Sequence, residues 1–190
     1  MNYRKLLLIT GIMIAAGLLF YQFMMKERSP QTEEIGDPYS GKDLKIGVIG
    51  KLPKKNFANV ELVKAEPEEL KQPKLDAYFI TPEYFQWLSQ EGWKPTFKEM
   101  KTPVFFLNTR KDPLIFKSEH MDYSSSNLES TSHTSGFGKK PNGEEISWSF
   151  GDSPQAKSGK TETPESIYHS LFRTIEEYWE TYGEKAKGRE

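Results

Sequence analysis

The chain has 190 residues, with 26 Lys plus Arg against 27 Asp plus Glu, no cysteine, and aromatic rings at 13% of positions. This near-neutral balance excludes nucleic-acid binding through bulk positive charge, which needs a concentrated basic face. Without a thiol there is no disulfide framework, thiol nucleophile, cysteine zinc site, iron–sulfur cluster or lipoprotein attachment.

The first predicted element is a membrane span. Residues Leu6 to Met25 carry no charged side chain, between Arg4 and Lys5 on one side and Lys26, Glu27 and Arg28 on the other. Twenty residues at about 1.5 Å each reach about 30 Å, the thickness of a bilayer's hydrocarbon core. A removable signal peptide has a shorter apolar run that ends in small residues. Here the run ends in Phe20, Tyr21, Gln22, Phe23, Met24 and Met25, while Ala15, Ala16 and Gly17 lie in its middle. The expectation is a short basic tail at 1–5 and a single-pass signal-anchor helix at 6–25, with the membrane as its partner. Basic residues on both flanks leave the charge rule undecided. A five-residue tail is the natural part to stay inside, so the domain is expected to be extracytoplasmic.

Residues 26–42 hold Pro30, Gly36, Pro38 and several charges without apolar periodicity, and read as a flexible linker. Taking the four basic residues and one acidic residue of the first 29 from the totals leaves 22 against 26, a charge of −4 for the remainder. Mean hydropathy is −0.69 despite the apolar run, so the core has to lean on rings. One α/β domain at 43–183 and a charged tail at 184–190 account for the rest, about 140 residues being ordinary for one core.

Leu44–Ile49 and Val60–Val63 read as strands, joined by about ten residues; that is marginal for a helical crossover, so either the helix is missing or the strands are antiparallel. Glu66–Gln72 reads as one or two helical turns, and Leu75–Ile80 as a buried strand. A helix through Tyr84–Gln90 is signalled by Thr81 as cap, Pro82 and Glu83 in the first turn, and Gly92 beyond its end. Pro103–Leu107 is a fourth strand. Ser118–Ser135, rich in hydroxyls, reads as a surface excursion. Phe137 and then Ile146, Trp148 and Phe150 alternate about Pro141, Asn142 and Gly143, which predicts a hairpin. A terminal helix starts at Thr163, Pro164 and Glu165 and ends at Gly183, its core face formed by Tyr168, Leu171, Phe172, Ile175, Trp179 and Tyr182. The expected architecture is thus a mostly parallel sheet of about four strands with flanking helices, an added β-hairpin and a C-terminal amphipathic helix.

Motifs of known chemistry fail at specific positions. Lys157–Thr161 ends like a phosphate-binding loop, but Pro154 stands where that loop needs a glycine amide. Phe150–Ser153 is similar to the Gly-Asp-Ser block of the SGNH esterases, whose serine follows the first strand; here it stands near the chain end, and the only later histidine is His169, in the terminal helix. The order of elements resembles response-regulator receiver domains, yet Gly50, Lys51 and Thr81 occupy the positions where their phosphorylation chemistry needs acids. Gly47 and Gly50 lack the third glycine of a dinucleotide fingerprint. His120, Asp122 and His133 match no standard ligand spacing and are expected to be exposed, so neither metal nor cofactor is expected.

The remaining guide is that ligands of α/β sheets bind outside the carboxyl ends of strands. That rule selects Lys51 after the first strand, Thr81 and Glu83 after the third, and Asn108, Thr109 and Arg110 after the fourth. The expected function is a non-catalytic, membrane-anchored extracytoplasmic domain that binds an envelope protein or a small ligand. Two alternatives are an envelope hydrolase with Glu83 or another carboxylate as base, and a cytoplasmic membrane-tethered regulatory module.

Overall fold

Strands β1 (Leu44–Ile49), β2 (Val60–Lys64), β3 (Ala77–Ile80), β4 (Val104–Phe106), β5 (Ser132–Lys139) and β6 (Glu145–Asp152) form one sheet in the order β2-β1-β3-β4-β5-β6. The computed structural model describes residues 37–152 and 162–183. The expected membrane helix at 6–25, most of the linker, the Lys157–Thr161 motif and the tail at 184–190 lie outside them. Among the described residues no helix is long and apolar enough to cross a membrane.

β1 pairs in parallel with β2 and β3, and β3 in parallel with β4, whereas β5 runs antiparallel to both β4 and β6. The fold is therefore a mixed α/β sheet of six strands with helices. The expected hairpin, β5 and β6, continues the sheet of the parallel strands. The first four strands have the order β2-β1-β3-β4, the start of a doubly wound arrangement.

The parallel strands β1, β3 and β4 are near-continuous apolar runs because both faces are covered. Tyr78, Ile80, Val104 and Phe106 face one core, with Phe85, Phe97, Ile115 and Phe116. Ile46, Val48, Phe79 and Phe105 face the other, with Leu171, Phe172 and Ile175. The latter three belong to α3 (Glu165–Tyr182), which follows two short helices, α1 (Phe85–Leu88) and α2 (Lys94–Glu99).

The link from β1 to β2 has no helix although the strands are parallel, which resolves the alternative read from its length. Phe57 serves in its place, its ring 5.1 Å from Tyr168 and 4.9 Å from Phe172. The expected helix at Tyr84–Gln90 is shorter: a 3-10 turn, Pro82–Tyr84, runs into α1. Glu66–Gln72 becomes a 3-10 helix, Pro67–Lys71, closed by a capping box between Glu66 and Glu69. The sequence reading missed α2, which is too short for apolar periodicity and buries only Lys94 and Phe97.

In α3 the expected stripe is shifted in part. Tyr168, Leu171, Phe172 and Ile175 are buried together with Ile167, His169 and Tyr178, while Trp179 and Tyr182 are half-buried. The Trp179 indole donates to the Asp76 carbonyl at 2.7 Å. Residues 37–42, read from sequence as the end of the linker, lie against this helix. Tyr39 is buried and its amide donates to His169 Nδ1 at 3.0 Å, and the Lys42 amide donates to Glu176 at 2.9 Å.

The surface excursion expected at Ser118–Ser135 needs correction at its end. β5 begins at Ser132, and Ser132, His133, Thr134 and Ser135 are all buried, since β5 is an interior strand. Gly136 shows why small residues suffice: a Cβ there would run into the Phe105 ring and stand 2.6 Å from the Val104 carbonyl oxygen.

Candidate functional site

β1 leads outward to β2, while β3 lies on its other side, so the chain changes direction across the sheet between β1 and β3. That crossing is where doubly wound sheets form a crevice at their carboxyl ends. Gly50 leaves β1 with φ 117°, a conformation that only glycine adopts without strain. The space of its missing side chain is filled by the Thr81 hydroxyl, and Glu83 Oε2 would stand 3.3 Å from a Cβ there. Thr81 Oγ1 donates to the Ile49 carbonyl at 3.2 Å and accepts from the Lys51 amide at 3.1 Å. Lys64, from the end of β2, donates to the Gly50 carbonyl at 2.5 Å and lies 5.8 Å above the Tyr84 ring.

The structure thus brings Lys51, Thr81 and Glu83 together, with Lys64 and Tyr84, which the sequence reading did not select. Asn108 and Arg110 belong to a second group, after β4. Asn108 has φ 53° and is half-buried. The amide of the exposed Arg110 donates to the Tyr123 hydroxyl at 3.2 Å, and its carbonyl accepts from the Ser130 amide at 3.1 Å. Thr109 is buried, its hydroxyl donating to the Lys111 carbonyl at 2.6 Å, and Lys111 in turn donates to the Ser126 carbonyl at 2.5 Å. The two groups differ because β5 reverses direction: its amino end, not a carboxyl end, lies beside the end of β4.

His120, Asp122 and His133 face different partners. His120 is exposed at φ 60°, and its amide donates to Glu91 at 2.6 Å. Asp122 accepts from the Ser124 hydroxyl at 2.6 Å and from the Ser124 and Ser125 amides, and these bonds hold its carboxyl well below the usual range. His133, expected to be exposed, is buried, with Nδ1 3.0 Å from Thr134 Oγ1 and Nε2 without a hydrogen-bond partner among the described residues. Burial pushes its pKa down. Among the described residues no three His, Asp or Glu are grouped to hold a metal ion.

Lys94, at the start of α2, is also buried. Its ammonium donates to the carbonyls of Ile115 and Met121, and burial lowers its pKa. It pins the 113–121 segment and takes no part in a crevice. His169 is likewise structural, accepting from Tyr39 and lying 3.6 Å from Glu165.

A groove of about 200 Å³ opens beside β2, lined by Leu52, Pro53, Lys55, Asn56, Phe57, Val60 and Leu62. A hint in the sequence is the Leu52-Pro53 pair set between lysines in Lys51-Leu52-Pro53-Lys54-Lys55, of which Leu52 is exposed and Pro53 half-buried. Residues 50–64 carry four lysines and one glutamate, a local charge of +3 on a domain of opposite sign. Comparison with known proteins gives no match: no family model, curated protein or solved structure is significantly similar to this chain.

Proposed function

We propose that this chain is a membrane-anchored, extracytoplasmic binding or interaction domain that catalyses no reaction. The observation that carries the anchor is the charge-free run from Leu6 to Met25 between basic flanks. The domain then presents the carboxyl ends of β1 and β3 to an envelope protein or a small ligand. What supports binding rather than catalysis is how the polar groups at those ends are used. The Thr81 hydroxyl bridges Ile49 and Lys51, and Lys64 holds the Gly50 carbonyl, so these groups are committed to backbone. A nucleophile needs instead a base within hydrogen-bond reach and an oriented third group.

The test uses the absence of cysteine. A single Ser147→Cys variant, at an exposed position of β6, is treated in intact cells with a membrane-impermeant maleimide, with lysed cells as control. Labelling in intact cells is expected; labelling only after lysis overturns the extracytoplasmic reading. Hydrolysis of an ester, peptide or glycan by the purified chain, lost in Glu83→Gln, would overturn the non-catalytic reading.

A further inference from the structure

Among the described residues β2 is the outermost strand on its side of the sheet. Its hydrogen-bonding phase follows from the bonds at its ends. The Leu44 amide donates to the Asn59 carbonyl at 2.9 Å, and the Ala65 amide to the Val48 carbonyl at 3.0 Å. In a parallel ladder this phase turns the odd-numbered residues of β2 towards β1 and the backbone groups of Val60, Leu62 and Lys64 outward. Val60 bridges to Phe57, which leaves Leu62 and Lys64 as the open edge.

Proteins usually blunt such an edge with charge, proline or a bulge. On β2 the charged side chains are drawn inward, Lys64 to the Gly50 carbonyl at 2.5 Å and Glu61 to Lys45 at 3.2 Å, and Val60, Leu62 and Val63 are half-buried. The groove lies along this edge, and Val60 and Leu62 form part of its wall. Its volume, about 200 Å³, is below the roughly 300–1,000 Å³ of small-molecule sites and suits aliphatic side chains. Lys55 lines it, ion-paired with Glu165 at 3.6 Å, and Lys51 and Lys54 adjoin its lining residues along the chain. Two copies joined edge to edge would set these lysines against their own counterparts, whereas an acidic segment complements them.

We propose that β2 is a docking edge for an extended acidic segment of a partner protein. The segment adds as a strand beside Leu62 and Lys64 and places alternate apolar side chains in the groove. This names the partner class for the binding role proposed above and rests on that reading.

The test is amide hydrogen exchange on the full chain in detergent micelles, with a blocked hexapeptide of alternating glutamate and valine as probe. The peptide is expected to slow exchange at the Leu62 and Lys64 amides about tenfold or more, leaving Glu61 and Val63 unchanged. Lys54→Glu with Lys55→Glu should weaken the peptide at least about fivefold. Leu62→Pro, whose nitrogen carries no bond to β1, should abolish the slowing; if that variant does not fold, the lysine pair decides. Equal binding of a lysine–valine peptide, or no slowing at either amide, overturns the proposal. Slowing without peptide in a chain that sediments as a dimer overturns it in favour of a second copy. Protection at Lys51 and Thr81 alone overturns the edge but leaves the binding role standing, which the maleimide experiment tests separately.

Discussion

β4 and β5 lie side by side, both shielded from solvent along their paired length, and their side chains differ completely. β4 offers Val104, Phe105 and Phe106; β5 offers serine, threonine, histidine and glycine, with Phe137 as its one large apolar residue. The pair shows that burial and hydrophobicity are separate properties in this sheet. The rings of β4 and its neighbours fill the space, with Phe106 stacked on Phe116 at 3.9 Å and Phe105 lying 5.4 Å from Trp148. β5 is buried because its neighbours cover it, and it bonds locally, with Thr134 Oγ1 3.0 Å from His133 Nδ1. Volume on one strand demands its absence on the next.

The largest expected effect comes from emptying the large side of the pair. Phe106 is fully buried among Phe85, Phe97, Phe116 and Phe137, so Phe106→Ala should cost about 4 kcal/mol in urea unfolding. A loss below about 1 kcal/mol would mean that the stack does not hold this half of the sheet. Filling the small side comes next. Gly136→Ala should cost about 2 kcal/mol through overpacking on Phe105 and the Val104 carbonyl. Combined with Phe105→Leu, the loss should be smaller than the sum of the two single losses; strict additivity would break the idea that the strands share one volume.

Tyr178 tests the join between the strands. Its hydroxyl lies 2.6 Å from the Lys101 carbonyl before β4 and 2.5 Å from the Lys139 carbonyl at the end of β5. Tyr178→Phe is expected to lose about 1 kcal/mol, read from the same unfolding curves.

The smallest effect is a pH dependence. Burial sets the folded pKa of His133 below 6.5, its usual value. At pH above 6.5 the imidazole is neutral in both states and contributes no slope. As pH falls below that value, the unfolded chain takes up a proton that the folded chain does not, and stability declines until the folded pKa is reached. His133→Gln should remove this part of the decline between pH 7 and 5. Parallel profiles for the two proteins would show that His133 titrates as if exposed.

The same contrast explains what the sequence made legible. β1 at Leu44–Ile49 and the core of β4 could be read because a strand covered on both faces is nearly continuously apolar, and α3 because eighteen residues are enough for a stripe. β5 could not, since Ser132–Ser135 looks like solvent-exposed chain until Phe105 and β6 are placed beside it. The direction of β2 depended on whether one side chain, Phe57, could replace a crossover helix. For the candidate site, the carboxyl-end rule selects residues one strand at a time. Which of them meet depends on strand order, so the grouping of Lys51, Thr81 and Glu83 apart from Asn108 and Arg110 had no signature in composition. Nor had the edge groove, which needs the hydrogen-bonding phase of β2.

The use of Phe57 as a roof over β1 has a kinetic consequence. Its ring closes on Tyr168 and Phe172, and Tyr39 closes on His169, so one face of the first strands is covered by the last helix. Such contacts join residues more than a hundred positions apart, and topologies that depend on distant closures fold slowly. On a ribosome, that face of β1 and β2 stays open until α3 has left the exit tunnel; the parallel half of the sheet therefore completes its cover last although it is made first.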